Sequence, residues 1–214
     1  MCWSATADLV AGTAVAAVGL VCVARVRRAR DLLVAALPLL LGVHQPVEAA
    51  VWDAGGGCSP AATAGAVIAL PLLPVWVPVG VLLAAAPGAR RRLWAPLGVG
   101  LATAAVLVYA LTTGPVTAEV RGRTIGYGVN VPWMPLVLAG YLFATLGALL
   151  LAGDRRLRTL GVVLAAGPWP AQRCGGWNSP PPGAPSPRSP RCWCWAGSGA
   201  GNRPPGTADR PKVT

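Results

Sequence analysis

The sequence predicts an all-α protein, a polytopic bundle of helices that cross a membrane. Hydrophobic residues make up 54% of the 214 residues and charged residues only 12%, against about 25% charged in an average soluble domain. Five apolar stretches are long enough to cross a bilayer, which takes about 20 residues. Arginines collect in the loops after the first, third and fifth stretches, as is typical of cytoplasmic loops.

The first span covers about Leu9–Ala24, and Ala5–Ala7 extend it toward a full crossing length. It is rich in Ala, Gly and Val, so it can pack closely against a neighbouring helix. No Lys or Arg precedes this span, whereas a cleaved signal peptide begins with a basic region. The basic cluster follows the span instead, which predicts a retained first helix.

The second span, Leu32–Trp52, is followed by a glycine-rich turn. The third span, Ala61–Ala86, contains three prolines. Because each proline removes a backbone donor, we expect this helix to bend. The fourth span covers about Leu93–Thr113 and the fifth covers Trp133–Ala152. A sixth run, Leu160–Gly167, is too short to cross a bilayer.

The link between the fourth and fifth spans predicts a small β-hairpin. Val116–Val120 and Thr124–Tyr127 flank a glycine-containing turn, and alternation on both sides of such a turn is typical of paired strands. The hairpin is either a cap over the polar residues of the second span or a connector. We favour the connector.

The arginines also predict the orientation of the bundle. The loops after spans one, three and five hold four, three and three arginines, while the loop after span two holds none and the hairpin loop after span four holds two, Arg121 and Arg123. This bias predicts a multi-pass protein of the cell membrane with its N-terminus outside.

The overall composition argues against several other classes of partner and cofactor. The net charge of +11 comes from arginines in short loops and in the C-terminal tail, so we expect the lipid bilayer as partner and no nucleic acid. Cys192 and Cys194 are one residue apart with no histidine beside them, which is not the spacing of a zinc site. We therefore expect no metal and no cofactor.

The composition changes at residue 168, which divides the chain into a helical bundle (1–167) and a tail (168–214) predicted to be disordered. The genetic code suggests an origin for this tail. We can form a shifted codon from the last base of each codon and the first two bases of the following codon. In this shifted frame, Trp177-Asn178 can encode only Glu, and residues 192–196 can encode only Leu-Val-Leu-Gly. The shifted reading is compatible with a membrane helix. Our hypothesis is that the intact gene encodes seven spans and that a frameshift near Gly167 scrambled the last one and a half.

Several motifs resemble those of a bacterial family of multi-pass membrane proteins of unknown function. Met1–Ala5 reads Met-Cys-Trp-Ser-Ala, similar to the family's Met-Cys-Phe-Ser-Ala start. Leu37–Leu40, followed by Gln45, Glu48 and Trp52, resembles the family's second-helix pattern, with His44 and Pro46 as departures. Three further features are similar to those of the family: the arginines in the loops, residues 74–78 and residues 114–118. The resemblance therefore covers about residues 1–167. It implies topology and location, and no established activity.

The second span carries the polar residues that are most costly in a membrane, His44, Gln45 and Glu48. His44 and Glu48 are four residues apart and share a helix face, and Pro46 cannot donate to the carbonyl of Gly42. One hypothesis is that these residues form a polar pocket that binds a small solute or lipid. Another is that the protein is a proton-coupled carrier in which Glu48 accepts the proton. The alternative, which we favour slightly, is an interhelical hydrogen-bond cluster that stabilises the bundle.

Ser4, Asp8 and Asp53 are expected at the same outer face as this cluster. A serine, a histidine and an acid allow a weaker hypothesis of a membrane-embedded hydrolase, although no nucleophile motif is present. Cys2 and Cys58 are both expected outside, where a disulfide can persist. Two free thiols are the alternative.

Overall fold

A computed structural model gives the structure of the chain, and it describes residues 5–121 and 124–166. These residues form six helices and one two-stranded hairpin, so the predicted all-α fold class is confirmed. The predicted tail lies outside the described residues. In chain order the elements are α1 (Ala5–Ala24), α2 (Ala29–Asp53), α3 (Pro60–Ala84), α4 (Pro87–Thr113), β1 (Thr117–Arg121), β2 (Thr124–Gly128), α5 (Met134–Leu151) and α6 (Arg155–Ala166).

Helices α1 to α5 are long and apolar enough to cross a membrane. The side chains on the outside of these helices are apolar, as are those between the helices. For example, Val10 on α1 is 67% exposed and Leu136 on α5 is 70% exposed. A helix that is apolar all round belongs either in a large core or in lipid. Since these side chains face outward in a small bundle, the chain has the character of a membrane protein.

The bundle has two distinct ends. The hairpin end carries β1, β2 and the turn after α2, and the arginine end carries the arginines around α1, α4 and α6. Aromatic side chains mark both ends of α4, where Trp94 is 63% and Tyr109 64% exposed. They lie about 22 Å apart along the helix axis, and Trp and Tyr are enriched at membrane interfaces.

Helices α1 and α2 pack antiparallel with their backbones in close approach. A Cβ atom on Gly12 would lie 2.5 Å from Cβ of Gln45 and 3.1 Å from the carbonyl oxygen of Gly42. Farther toward the arginine end, a Cβ atom on Gly19 would lie 2.6 Å from Cα of Leu39. Small residues at these crossings are what allows two membrane helices to approach so closely.

Prolines interrupt the regular backbone hydrogen bonding of α3. The helix contains a π-helical segment, Ile68–Leu72, around Pro71, and such segments accompany bends. Pro78 cannot donate to the carbonyl of Pro74, and Gly100 of α4 packs directly against that carbonyl. The α3 backbone is therefore held by neighbouring helices where its own hydrogen bonds are lost.

The hairpin is a packed part of the fold rather than only a connector, contrary to the interpretation we favoured. Ala118 pairs with Gly57 in the turn after α2 through two backbone hydrogen bonds, whose nitrogen-to-oxygen distances are 2.7 and 2.9 Å. Ala118 also joins Val51 and Ala62 in a buried cluster that Ile125 and Tyr127 border. The hairpin thus closes the ends of α2 and α3.

Helix α6 follows a short turn after α5 and packs back against it. A Cβ atom on Gly161 would lie 2.9 Å from Cβ of Leu149, and Leu157 borders the core cluster at the arginine end. At 12 residues, α6 is about 18 Å long. Within the described residues it reaches about halfway across a bilayer, as the short sixth run predicts.

Candidate functional site

Four polar or charged residues are buried among the described residues, and three of them lie toward the hairpin end of α1 and α2. They are Asp8, His44 and Glu48, and the fourth is Thr103 of α4. In a bundle whose surface is apolar, buried ionisable groups are the costly exception. They are therefore the first candidates for a site.

His44 and Glu48 form a close pair on one face of α2. Nε2 of His44 lies 3.3 Å from Oε1 of Glu48, and each side chain is 10% exposed. The geometry follows from their spacing, because residues four apart are neighbours on a helix surface. Nδ1 of His44 is buried and has no hydrogen-bond partner among the described residues.

Asp8 faces the same layer from α1. It is 1% exposed and lies four residues before Gly12, on the same helix face. Gly12 of α1 contacts Gln45 of α2. Because the two helices are antiparallel, the residue one turn before Gly12 lies at about the level of the residue one turn after Gln45. Asp8 therefore lies at the level of Glu48, so two carboxyl groups and an imidazole occupy neighbouring turns of the α1–α2 contact.

The other predicted site residues are more dispersed. Gln45 is half-buried and uses its Cβ to contact Gly12, while Asp53 is exposed at the end of α2. Asp8 and Asp53 both lie toward the hairpin end, where the antiparallel contact buries Asp8 and leaves Asp53 exposed. Ser4 lies outside the described residues.

Only one of the two cysteines of the predicted disulfide lies within the described residues. Cys58 is half-buried in the turn between α2 and α3, next to the Gly57–Ala118 pairing, and Cys2 lies outside the described residues. Cys22 is half-buried near the arginine end of α1.

Two cavities bordered by described residues lie away from the polar layer. One, of about 410 Å³, borders α6 at the arginine end. The other, of about 80 Å³, is apolar and lies between α2, α3, α5 and α6. Neither is lined by His44, Glu48 or Asp8. Within residues 5–121 and 124–166, no three His, Cys, Asp or Glu side chains converge in a way that could hold a metal ion.

Two features of the site were missed by reasoning from the sequence. Nε1 of Trp52, one turn beyond Glu48, is buried without a hydrogen-bond partner among the described residues. The spacing 44, 48, 52 is a helical stripe and could have indicated this. The larger cavity beside α6 was also missed, since it depends on how α6 folds back on α5.

Comparison with known proteins places the whole bundle in one family. No match was found among the curated proteins or among the solved structures. A family model described as "Family of unknown function (DUF6629)" matches residues 1–174, which include every described helix and both strands. The chain therefore belongs to DUF6629, a family of unknown function.

Proposed function

We propose that this chain is a multi-pass protein of a bacterial cell membrane, with its N-terminus outside, and that it binds a proton at the His44–Glu48 pair. The observation that carries the proposal is the buried 3.3 Å contact between Nε2 of His44 and Oε1 of Glu48. It lies in a helix long and apolar enough to cross a membrane.

The orientation rests on the arginine end. Ten arginines lie at this end of α1, α4 and α6, whereas at the opposite end the turn after α2 has none and the hairpin loop has two, Arg121 and Arg123. Cytoplasmic loops collect Lys and Arg, so the arginine end lies inside and the hairpin end outside. Glu48 is then about 6 Å from Trp52 at the outer end of α2.

The chemistry of the pair suits a proton. When His44 is neutral and Glu48 is ionised, the pair carries one negative charge in a low-dielectric environment, which is costly. One added proton, shared between Nε2 and Oε1, makes the pair neutral. Asp8 adds a second acid at the same level of the α1–α2 contact. The layer is thus rich in groups that can accept protons.

A proton also fits the space that the layer offers. A proton needs no cavity beside the pair, unlike the small solute or lipid of our first hypothesis. Charged residues at this end of the bundle include Asp53, exposed at the end of α2, and Glu119 and Arg121 on β1 of the hairpin. The hydrolase hypothesis requires Ser4 beside His44 and stays a prediction.

The test is proton uptake by the purified protein in lipid nanodiscs. Infrared difference spectra between alkaline and acidic pH reveal the carbonyl band of a protonated carboxylic acid. We expect a band from a buried carboxyl group that Glu48→Gln removes. Asp53→Asn is the matched control, because it removes an exposed carboxylate from the same helix, and we expect it to leave that band in place.

Two results would contradict the proposal. If Glu48→Gln leaves the buried-carboxyl band unchanged, the carboxyl group of Glu48 takes up no proton, which contradicts a proton shared with Oε1. If Glu48→Gln removes no band and lowers the unfolding temperature well below that of Asp53→Asn, the pair is the interhelical cluster that we weighed as the alternative. A retained fold with loss of the band supports the proposal.

We further propose that the intact gene encodes seven spans. Support comes from α6, which turns back along α5 as a sixth span does and packs Gly161 against Leu149. Resequencing the locus tests this. A single unambiguous frame through Thr214 contradicts it, and an extra or missing base near Gly167 supports it.

A further inference from the structure

We propose that Tyr127 of the hairpin closes the outer end of the proton site, so that Glu48 exchanges its proton with outside water only as fast as this side chain moves away. The inference rests on the proposed function and adds its regulation: a route from the hairpin end and the residue that limits it. The observation that carries it is the position of the Tyr127 ring over Gly65 of α3.

Glu48 and Gly65 lie at the same depth in the contact between α2 and α3. The turn 54–59 joins the two helices, and so short a connection makes them antiparallel neighbours. Val51 of α2 and Ala62 of α3 are fully buried and belong to one cluster. Glu48 comes three residues before Val51, which places it about 4.5 Å deeper on the same helix face. Gly65 comes three residues after Ala62 and is equally deep, so the two positions share one layer.

The side chain of Tyr127 reaches into this layer. A Cβ atom on Gly65 would meet the hydroxyl group of Tyr127 and would lie 2.9 Å from Cζ and 3.2 Å from Cε1 of its ring. The hydroxyl oxygen is buried. The tip of the ring therefore extends past the cluster of Val51 and Ala62 and lies one turn inside the bundle, in the space that the missing side chain of Gly65 provides.

Backbone pairing holds Tyr127 in this position. It stands opposite Ala118 in the hairpin, and Ala118 makes two backbone hydrogen bonds to Gly57 in the turn after α2. Gly56 packs against the same residue, since a Cβ atom there would lie 2.6 Å from the Ala118 carbonyl oxygen. Its φ of +82° is a conformation that favours glycine. The register therefore fixes the ring over Gly65.

A second aromatic residue stands at the same entrance. Trp52 lies one turn beyond Glu48 on the same face of α2, and its Nε1 is buried. The exposed acids at this end are Asp53 and Glu119, and Glu119 lies on the opposite face of the hairpin from Tyr127, because successive side chains of a strand alternate. Water that reaches these acids therefore meets Trp52 and Tyr127 before it meets Glu48.

The test times proton exchange at Glu48 in the full chain in lipid nanodiscs. After rapid transfer from H₂O to D₂O, the carbonyl band of the protonated acid shifts to lower frequency as a deuteron replaces the proton. We expect Tyr127→Ala to exchange roughly tenfold faster than the native chain, which corresponds to about 1.4 kcal/mol taken off the barrier. The matched control is Tyr109→Ala, which removes a 64% exposed ring from the hairpin end of α4, and we expect it to exchange at the native rate.

Two further variants separate the ring from the hydroxyl group and from the stability of the fold. Tyr127→Phe keeps the ring, so we expect exchange as slow as in the native chain; exchange as fast as in Tyr127→Ala would overturn closure by the ring. Gly65→Ala keeps Tyr127 and displaces its ring, which keeps the test decisive if Tyr127→Ala fails to fold. We expect faster exchange in this variant, and the native rate would overturn the inference.

Two other outcomes would overturn it. Equal rates in Tyr127→Ala and Tyr109→Ala would show that protons reach Glu48 by another route. An equal acceleration of amide exchange along residues 44–48 would show that α2 itself opens. The proposed function fails in a different way: the native chain then has no buried-carboxyl band that Glu48→Gln removes, and so no exchange to time.

Discussion

The close approach of α1 and α2 predicts that Gly19→Ala destabilises the bundle. The added Cβ would lie 2.6 Å from Cα and 2.8 Å from Cβ of Leu39, whereas carbon atoms pack best at about 3.5–4.0 Å. Cα of Leu39 belongs to the α2 backbone and cannot rotate away. The two helices must therefore separate locally by about 1 Å.

The size of the effect follows from that separation. A gap of about 0.5–1 Å already forfeits a quarter to a half of each dispersion contact, and overpacking in cores typically costs about 1–3 kcal/mol. Gly98→Ala is the matched control, since no atom lies within 4 Å of its added Cβ. There the better helix propensity of alanine makes the change neutral or stabilising by up to about 1 kcal/mol.

The assay is unfolding of both variants in mild detergent by added dodecyl sulfate, followed by circular dichroism. We expect Gly19→Ala to unfold at a clearly lower dodecyl sulfate fraction than Gly98→Ala. Equal midpoints for the two variants would refute the close approach of α1 and α2.

Two further predictions concern contacts between other elements. The hydroxyl of Tyr141 donates to the carbonyl oxygen of Ala69 at 2.9 Å, so Tyr141→Phe should cost about 0.6 kcal/mol, the average for hydrogen bonds between membrane helices. Tyr109→Phe, at a 64% exposed position, should cost nothing in the same unfolding assay, and an equal cost would argue against the bond. Gly65→Ala would drive a Cβ into the ring of Tyr127, so the hairpin should lift from α3 and trypsin should cut between its strands faster. An unchanged cleavage rate would argue against the docked hairpin.

Length and hydropathy were enough to predict most of the fold. The first span with its extension matches α1, and the third and fifth spans match α3 and α5 within two residues at each end. The second span differs more, because α2 begins at Ala29 rather than Leu32, and the fourth differs most, because α4 begins at Pro87 and includes the arginines that we assigned to a loop. Arginine has good helix propensity, so a helix can continue past the apolar segment that hydropathy detects.

Contacts between elements were harder to predict, since they depend on the third dimension. Proline positions predicted a bend in α3, where the structure has the π-helical segment Ile68–Leu72, but α5 has a π-helical segment, Phe143–Gly147, without any proline inside it. The docking of the hairpin depends on the pairing of Ala118 with Gly57, which are 61 residues apart in the sequence. Local pattern carries no signal for such a pairing.

The candidate site was partly visible in the sequence. Four-residue spacing was enough to predict that His44 and Glu48 share a face, and the two side chains do meet. The burial of Asp8 was not foreseen, because it depends on the approach of α1 to α2 at Gly12. The functional role of these residues stays a prediction.

The most direct test of the account is the sidedness of its two ends. Single cysteines are placed at Ala54, in the turn after α2, and at Gly88, beside the α4 arginines, in a background without the native cysteines. Both positions are exposed. With a membrane-impermeant thiol reagent on intact cells, the account predicts labelling of Ala54→Cys, and labelling of Gly88→Cys only after permeabilisation. The reverse pattern, or equal labelling of both in intact cells, would contradict the orientation.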